Sequence, residues 1–486
     1  MTQRAYLRPG ETCWRVALAP QLKFLVDYQA YFEALRPALE GARRSIHILG
    51  WSFDPRTPLD PDAVMRGAAS HEIGRLLVRL AETNPDLDVR ILIWRSALAI
   101  AASQHFFPHR AKGWFRGTPV KFRLDAATPF GACHHQKAVI IDGALAFVGG
   151  GDFGLDRWDS DTHRDPSAVR RHPPRHEVMA MVDGEAAATL EELFCSRWER
   201  ATGQTAAPTF EPFQSPPWPS QAASDLAGAQ VAIARTVPAW RKARPVAEIS
   251  RLTLEAIAGA RELIYLENQY FTWPAAVEAL AARLAEPQGP QIVAMLNWRS
   301  PSYFDRLTMD CARSVAIWRL RAADTFGRFF AFAPVTSGGR PIVVHAKLMV
   351  VDDHLARISS ANLNNRSEGF DTECELALEA DGGQAAQAIA SFRDRLAAHW
   401  IGRSASDLAE ARRTLGGGFA QALQALDGEG RLRRLEPQRL GPIGEFIAAF
   451  HIGDPRQVGD SWRPWRRRAR LQAEARKARE TISQRA

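Results

Sequence analysis

The chain is written twice, and this duplication constrains its fold more than any other feature. The stretch "HHQKAVIIDGALAFVGGGD" (134–152) returns as "VHAKLMVVDDHLARISSAN" (344–362). His135, Lys137, Asp142 and Asp152 align with His345, Lys347, Asp352 and Asn362, each pair 210 positions apart. Upstream, "ARRSIHILGWSF" from Ala42 matches "ARELIYLENQYF" from Ala260, and "ILIWRS" from Ile91 matches "MLNWRS" from Met295. Their offsets, 218 and 204, depart from 210 as loop insertions would make them depart. Such a repeat predicts two copies of one domain packed about a pseudo-twofold axis.

Each half reads as a helical pattern, an apolar strand, a second helix ("HEIGRLLVRLAET", "VEALAARLAE"), a second strand, then the motif strand and an Ala/Leu-rich helix. Helices alternating with fully apolar strands predict an α/β fold in which each copy is a mixed sheet flanked by helices, with the site between the copies. The first copy is expected over 1–202 and the second over 225–405. Between them, 203–224 carries five prolines and no apolar period, and reads as a linker. Residues 406–460 read as a helical extension on the second copy, and 461–486 as a basic tail.

Charge is unevenly placed. The formal net charge is +8, and the stretch from Trp462 to Ala486 holds nine Arg or Lys against Glu474 and Glu480, a net of +7. The body is therefore near neutral and offers no basic groove for a polyanion, so no nucleic-acid partner is expected. A polybasic tail with Trp462 and Trp465 suits an anionic lipid surface. Five scattered cysteines without a CxxC argue against a disulfide framework or a zinc site. The first twenty residues hold no apolar signal core, and no run approaches a membrane span, so a cytoplasmic or peripheral membrane location is expected, with leaderless export as the alternative, and a monomer.

The repeated triplet carries the chemistry. Of 62 basic residues only seven are lysine, and 13 histidines would meet them as His-x-Lys about 0.2 times by chance. One such strand end could be hydrogen-bonded locally; two in register, using lysine where the chain otherwise prefers arginine, point to a compact cation in a site. Alternation puts each histidine and its lysine on one strand face, and a twofold turns both pairs toward one cleft. There a neutral imidazole nitrogen can attack phosphorus while the second imidazole protonates the departing alkoxide and then activates the acceptor. The lysines neutralise the phosphate oxygens in the transition state. No metal or other cofactor is expected, because the lysines would repel a divalent cation and no tight cluster of histidines and carboxylates is visible in the sequence.

These two stretches resemble the HxKxxxxD signature of the phospholipase D superfamily, over roughly residues 35 to 400. "GGGDFGLDRWD" (149–159), "RHPPRHE" (171–177) and "IYLENQYF" (264–271) resemble segments of its phosphatidylcholine-cleaving, eukaryotic-type branch. The resemblance implies a phospholipase D that hydrolyses a glycerophospholipid to phosphatidic acid and a free headgroup through a phosphohistidine, with alcohol able to replace water. The alternatives it leaves are a phosphatidyltransferase such as a cardiolipin synthase, which usually carries N-terminal membrane helices not seen here, and a nuclease-like phosphodiesterase.

Carried over residue by residue, the resemblance makes His135 the nucleophile and His345 the general acid and base. Lys137, Lys347, Asp152 and Asn362 would contact the phosphate or the histidines. Glu177 and Glu373, each downstream of a motif, would hold a histidine's other nitrogen as in a triad. Asp142 and Asp352 complete the catalytic signature set, although their position suits a turn after the motif strand. The family's usual Gly-Ser-x-Asn ending is replaced by Gly149-Gly150-Gly151-Asp152 and by Ser359-Ser360-Ala361-Asn362, which implies altered backbone geometry at Ser359. His134 reads as a neighbour out of phase with His135, and Arg157 to Asp159 as either a surface loop or part of the substrate mouth.

Overall fold

The inner strands of each half are buried on both faces, and that burial decides the architecture. A computed structural model describes residues 5–68, 71–102, 105–165, 172–209, 218–241, 243–415 and 418–484. The first half supplies β1 (Arg15–Val26), β2 (Ser45–Gly50), β3 (Asp88–Trp94), β4 (Lys121–Asp125), β5 (Ala138–Ile141), β6 (Leu145–Gly149), β7 (Arg175–His176) and β8 (Val178–Asp183). The second supplies β9 (Leu226–Val237), β10 (Val246–Ala247), β11 (Leu263–Asn268), β12 (Gln291–Leu296), β13 (Phe329–Pro334), β14 (Val343–Val344), β15 (Lys347–Val351), β16 (Leu355–Ser359), β17 (Glu373–Glu379) and β18 (Leu432–Arg434).

One mixed sheet runs through both halves in the order β18-β13-β12-β11-β15-β16-β17-β9-β1-β8-β6-β5-β2-β3-β4. Read outward from its middle, β17-β16-β15-β11-β12-β13 on one side mirrors β8-β6-β5-β2-β3-β4 on the other. The equivalent strands β1 and β9 meet antiparallel at the centre, from Arg15 opposite Ile233 to Leu22 opposite Leu226, as a pseudo-twofold through the sheet requires. The mixed α/β fold expected from the repeat is therefore present, with the two copies joined edge to edge.

On one face, a single apolar layer beneath both halves takes in Leu22, Phe24, Trp198, Val231, Phe392 and Trp400. On the other face each half has its own layer, around Tyr31, Phe32, Leu76 and Phe147 in the first and Leu252, Trp273, Leu280 and Ile317 in the second. The helix read from "HEIGRLLVRLAET" spans Ile73–Thr83, and that from "VEALAARLAE" spans Pro274–Ala285. The extension adds β18 to the sheet edge beside β13. Most of the linker's centre, 210–217, and Arg171 lie outside the described residues; at the linker's start Thr209 bonds Glu191 and Ser45. All five cysteines are free and buried.

The basic tail differs from its expected form. Pro464–Ser483 is a helix packed on the helix Pro274–Ala285. Leu471, Ala475, Ala478 and Ile482, spaced at helical intervals, are buried there. Arg456 pairs with Glu474 and Arg470 with Asp460. Arg466, Arg468, Arg476, Lys477 and Arg479 remain exposed on the outer face, with Trp465 62% exposed; the Trp462 side chain lies outside the described residues. Among the described residues no helix is long and apolar enough to cross a membrane.

Candidate active site

Each motif strand begins where a neighbouring segment of the other half crosses it. His134 forms a parallel bridge with Thr372, and the His135 N–H donates to the Thr372 carbonyl at 3.0 Å. Symmetrically, β14 pairs in parallel with β7, and the His345 N–H donates to the His176 carbonyl at 2.8 Å. In both places the next residue along the crossing segment is a glutamate. The carboxylate partners are thereby exchanged between halves: His135 Nδ1 lies 2.9 Å from Glu373 Oε2, and His345 Nδ1 lies 2.5 Å from Glu177 Oε2. With each Nδ1 committed to a carboxylate, Nε2 is the nitrogen left for chemistry.

The lysines sit below the rings. Lys137 is fully buried, with Nζ 3.2 Å from Asp152 and donating to the His135 carbonyl at 3.1 Å. Lys347 donates to Gln269 Oε1 at 3.2 Å and to the His345 carbonyl. The two copies therefore differ. Asp152 also accepts the N–H groups of Trp51 and Ser52, whereas Asn362 leaves its side-chain oxygen buried without a hydrogen bond. The motif ends differ as well. Gly150 is in close contact with Glu177, since a Cβ there would fall 2.5 Å from Oε1. The equivalent Ser360 instead donates its hydroxyl to Glu373. At the preceding position Gly149 has φ +157° with a virtual Cβ 2.6 Å from the Val178 carbonyl, while Ser359 turns its hydroxyl to the Ala361 N–H at 2.9 Å.

Asp142 and Asp352 do not belong to this constellation, which corrects their place in the catalytic set. Both adopt φ +53° in the turn at the far end of the motif strand. Asp142 accepts the N–H groups of Arg43, Arg44 and Ser45, and Asp352 those of Arg261, Glu262 and Leu263. At about 3.3 Å per residue, a strand of four or five residues separates them from the histidines. They clamp the starts of β2 and β11. His134 points away, buried against Asp125 at 3.2 Å.

Burial holds both imidazoles well below their usual value. Lys137 and Lys347 add to this at His135, and Lys347, Arg175 and Arg157 at His345. Burial likewise raises Glu177 to about 7 and Glu373 well above the carboxylate range. An anion placed against the lysines would reverse part of this by favouring the protonated imidazole. Arg157 to Asp159 is no surface loop: Arg157 is 11% exposed and Asp159 accepts the Arg175 N–H at 2.8 Å.

A second buried network lies behind Glu177 and escaped the sequence reading. His176 spans two carboxylates, Asp27 at 2.8 Å and Glu267 at 2.7 Å. Burial works against its charge, yet the two carboxylates raise it to about 10. Asp27, His163, His176 and His399 lie within 4.8 Å of one another, so a tight cluster of histidines and a carboxylate does exist, outside the two motifs. Its members are distant in sequence, and no local spacing announces them.

Comparison with known proteins agrees with the geometry at a coarse level. Residues 253–400 match the family described as "Cardiolipin synthase, PLD-like domain". The chain is 28% identical over 373 residues to a cardiolipin synthase A of Pseudomonas putida, across 73% of this chain and 64% of that protein. It is 25% identical over 432 residues to a phospholipase D A of Dictyostelium discoideum, across 73% and 32%. The chain thus spans less than two thirds of these relatives. A phosphatidylserine synthase structure from Haemophilus influenzae shares the fold, with TM-score 0.56 and 13% identity over 96% of this chain and 97% of that one. The relatives include cardiolipin synthases as well as a phospholipase D, and the phosphatidylcholine-cleaving branch is not singled out.

Lys347 gives the site a pH signature. Burial and Lys137 lower it to about 7, against Glu177, Glu373 and Asp152. Its charged form, which would bind phosphate, is lost as pH rises, so kcat/KM on a phosphodiester is expected to fall above about pH 7. In Lys347→Arg, with a guanidinium that stays charged, the alkaline limb should move up by at least two pH units. A pH profile with the same limb in both proteins would place it on another group.

Proposed function

We propose that this chain, a member of the phospholipase D superfamily, transfers a phosphatidyl group from a glycerophospholipid to an alcohol, with water a minor acceptor. The observation that carries the reading is the pair of crossed His–Glu contacts above two buried lysines. Two imidazoles with free Nε2 atoms suit a two-step displacement at phosphorus with inversion at each step. The acceptor follows the relatives, whose names favour transfer over hydrolysis.

In the first step His135 Nε2 attacks phosphorus, the headgroup oxygen leaves, and His345 gives it a proton. The P–O bond breaks as the P–N bond forms. In the second step His345 takes the proton of the acceptor hydroxyl, whose oxygen displaces His135. Lys137 and Lys347 hold the non-bridging oxygens through both steps. The choice of His135 as nucleophile is supported by its first-motif position and by the hydroxyl of Ser360 on its partner Glu373.

A lipid substrate also needs a route from the bilayer, and the mouth supplies one. Trp51 follows β2 and stacks edge-on to His135 at 6.5 Å, while Trp94 ends β3 beside Trp51 at 5.7 Å. Segments leaving this end of the sheet expose Leu98, Phe106 and Phe130 in the first half and Tyr303, Phe304 and Leu307 in the second. This rim is the membrane contact, with the outer basic face of the terminal helix adding attraction to anionic lipid.

The decisive test incubates the purified chain with phosphatidylglycerol vesicles, with and without added glycerol or ethanol, and identifies products by mass spectrometry. Cardiolipin or the phosphatidyl-alcohol should exceed phosphatidic acid; phosphatidic acid alone under all conditions would make the chain a hydrolase. On a substrate with a good leaving group, His135→Ala should abolish an acid-labile phosphohistidine. Glu373→Gln, though in the other half, should slow its formation at least tenfold, and label trapped on His345 would reverse the assignment. For the membrane contact, Phe130→Ser with Phe304→Ser should lower vesicle binding about tenfold or more at any salt, on the order of 1.5 kcal/mol for each ring removed from lipid. Arg476→Gln with Lys477→Gln and Arg479→Gln should matter only at low salt.

A further inference from the structure

Two histidine nitrogens and a carboxylate oxygen converge on one point behind Glu177. His163 Nε2 lies 2.9 Å from His399 Nε2, and each lies 3.6 Å from Asp27 Oδ2. A triangle with these sides has its circumcentre about 2.0 Å from every corner, which is the bond length of zinc to imidazole and carboxylate. Tetrahedral ligands at such lengths stand about 3.3 Å apart, so the triangle has the size of three ligands of one ion.

Hydrogen bonding alone leaves the cluster unfinished. Asp27 is 1% exposed, and its Oδ2 has no hydrogen-bond partner although it faces both rings. His163 turns its other nitrogen to Asp159 at 2.8 Å, and Asp159 is fixed in turn by the N–H groups of Ser160 and Arg175. This is the outer carboxylate that commonly orients a metal-bound histidine and fixes its tautomer. Asp27 is itself oriented by His176 on Oδ1, and its backbone is held at φ +67°, an unfavourable conformation for aspartate that its N–H bond to the Glu177 carbonyl at 2.8 Å sustains.

We propose that Asp27, His163 and His399 form a binding site for a divalent transition-metal ion of the zinc class, separate from the reacting histidines. Two imidazoles and one carboxylate select such an ion over magnesium or calcium. The ion would join the first half, through Asp27 and His163, to the last helix of the second copy, through His399. Its place in the fold is behind the segment that carries His176 and Glu177, so it would act as a staple on the partner of His345 and take no part in bond making. The expectation of metal-free phosphoryl transfer at the lysines is compatible with it.

The test uses the full chain, purified without metal-affinity resin, stripped with a strong chelator under mild warming and reloaded with Zn²⁺ or Co²⁺. Mass spectrometry of the elements should find about one ion per chain, Co²⁺ should give the visible absorption of a low-coordinate nitrogen and oxygen site, and loading should raise the melting midpoint. His399→Gln should lower Zn²⁺ affinity at least tenfold, and His354→Gln, a histidine outside the cluster, should leave it unchanged. Should His399→Gln fail to fold, X-ray absorption of the zinc-loaded native chain decides: two imidazoles and oxygen support the site, and sulfur or a single imidazole overturns it. Less than a tenth of an ion per chain after reloading, or undiminished affinity in folded His399→Gln, also overturns it.

Discussion

The exchange of carboxylates between the halves is the interaction on which the rest depends. An imidazole buried beside two lysines loses its orientation unless an acceptor on the other side holds its Nδ1. Each half contributes that acceptor to the other through a short parallel bridge, of two residues at β7 and β14 and of one at His134 and Thr372, with the glutamate as the next residue along. The geometry of the site is therefore inherited from backbone hydrogen bonds at the junction, and neither copy contains a complete reaction centre.

Much of this was legible in the sequence. The 210-residue register of His135 and His345, with their lysines, announced two equivalent strands, and the fully apolar runs announced a covered sheet. The two glutamates were found too, but which histidine each serves was not, because partner exchange is a property of packing and leaves no trace in spacing. The Asp27 cluster was hidden for a similar reason: its four members lie on a helix start, a loop, a short strand and a helix end. The packing of the basic tail against the body was less legible, because its nine basic residues dominate the composition while only four small or apolar ones at helical spacing, Leu471, Ala475, Ala478 and Ile482, make the buried face.

Departures from twofold symmetry carry the functional content. Lys137 faces a carboxylate and Lys347 a neutral amide; Glu373 is met by a hydroxyl and Glu177 by a glycine. Two identical sites would compete for the same role. In the proposed mechanism a nucleophile and an acid need different electrostatic surroundings, and these small substitutions would supply the difference on an otherwise repeated frame.

The central pairing of β1 with β9 has a further consequence. Each strand is 12 residues long, and a polypeptide ending at either copy would present it as a bare sheet edge, the natural template for another copy of itself. A half-length ancestor would thus be a homodimer, with both active-site carboxylates supplied in trans and its existence governed by concentration. Covalent fusion turns that association into an intramolecular one with a high effective concentration. It also releases the two copies from encoding the same residues, so that a glycine can stand in one where a serine stands in the other.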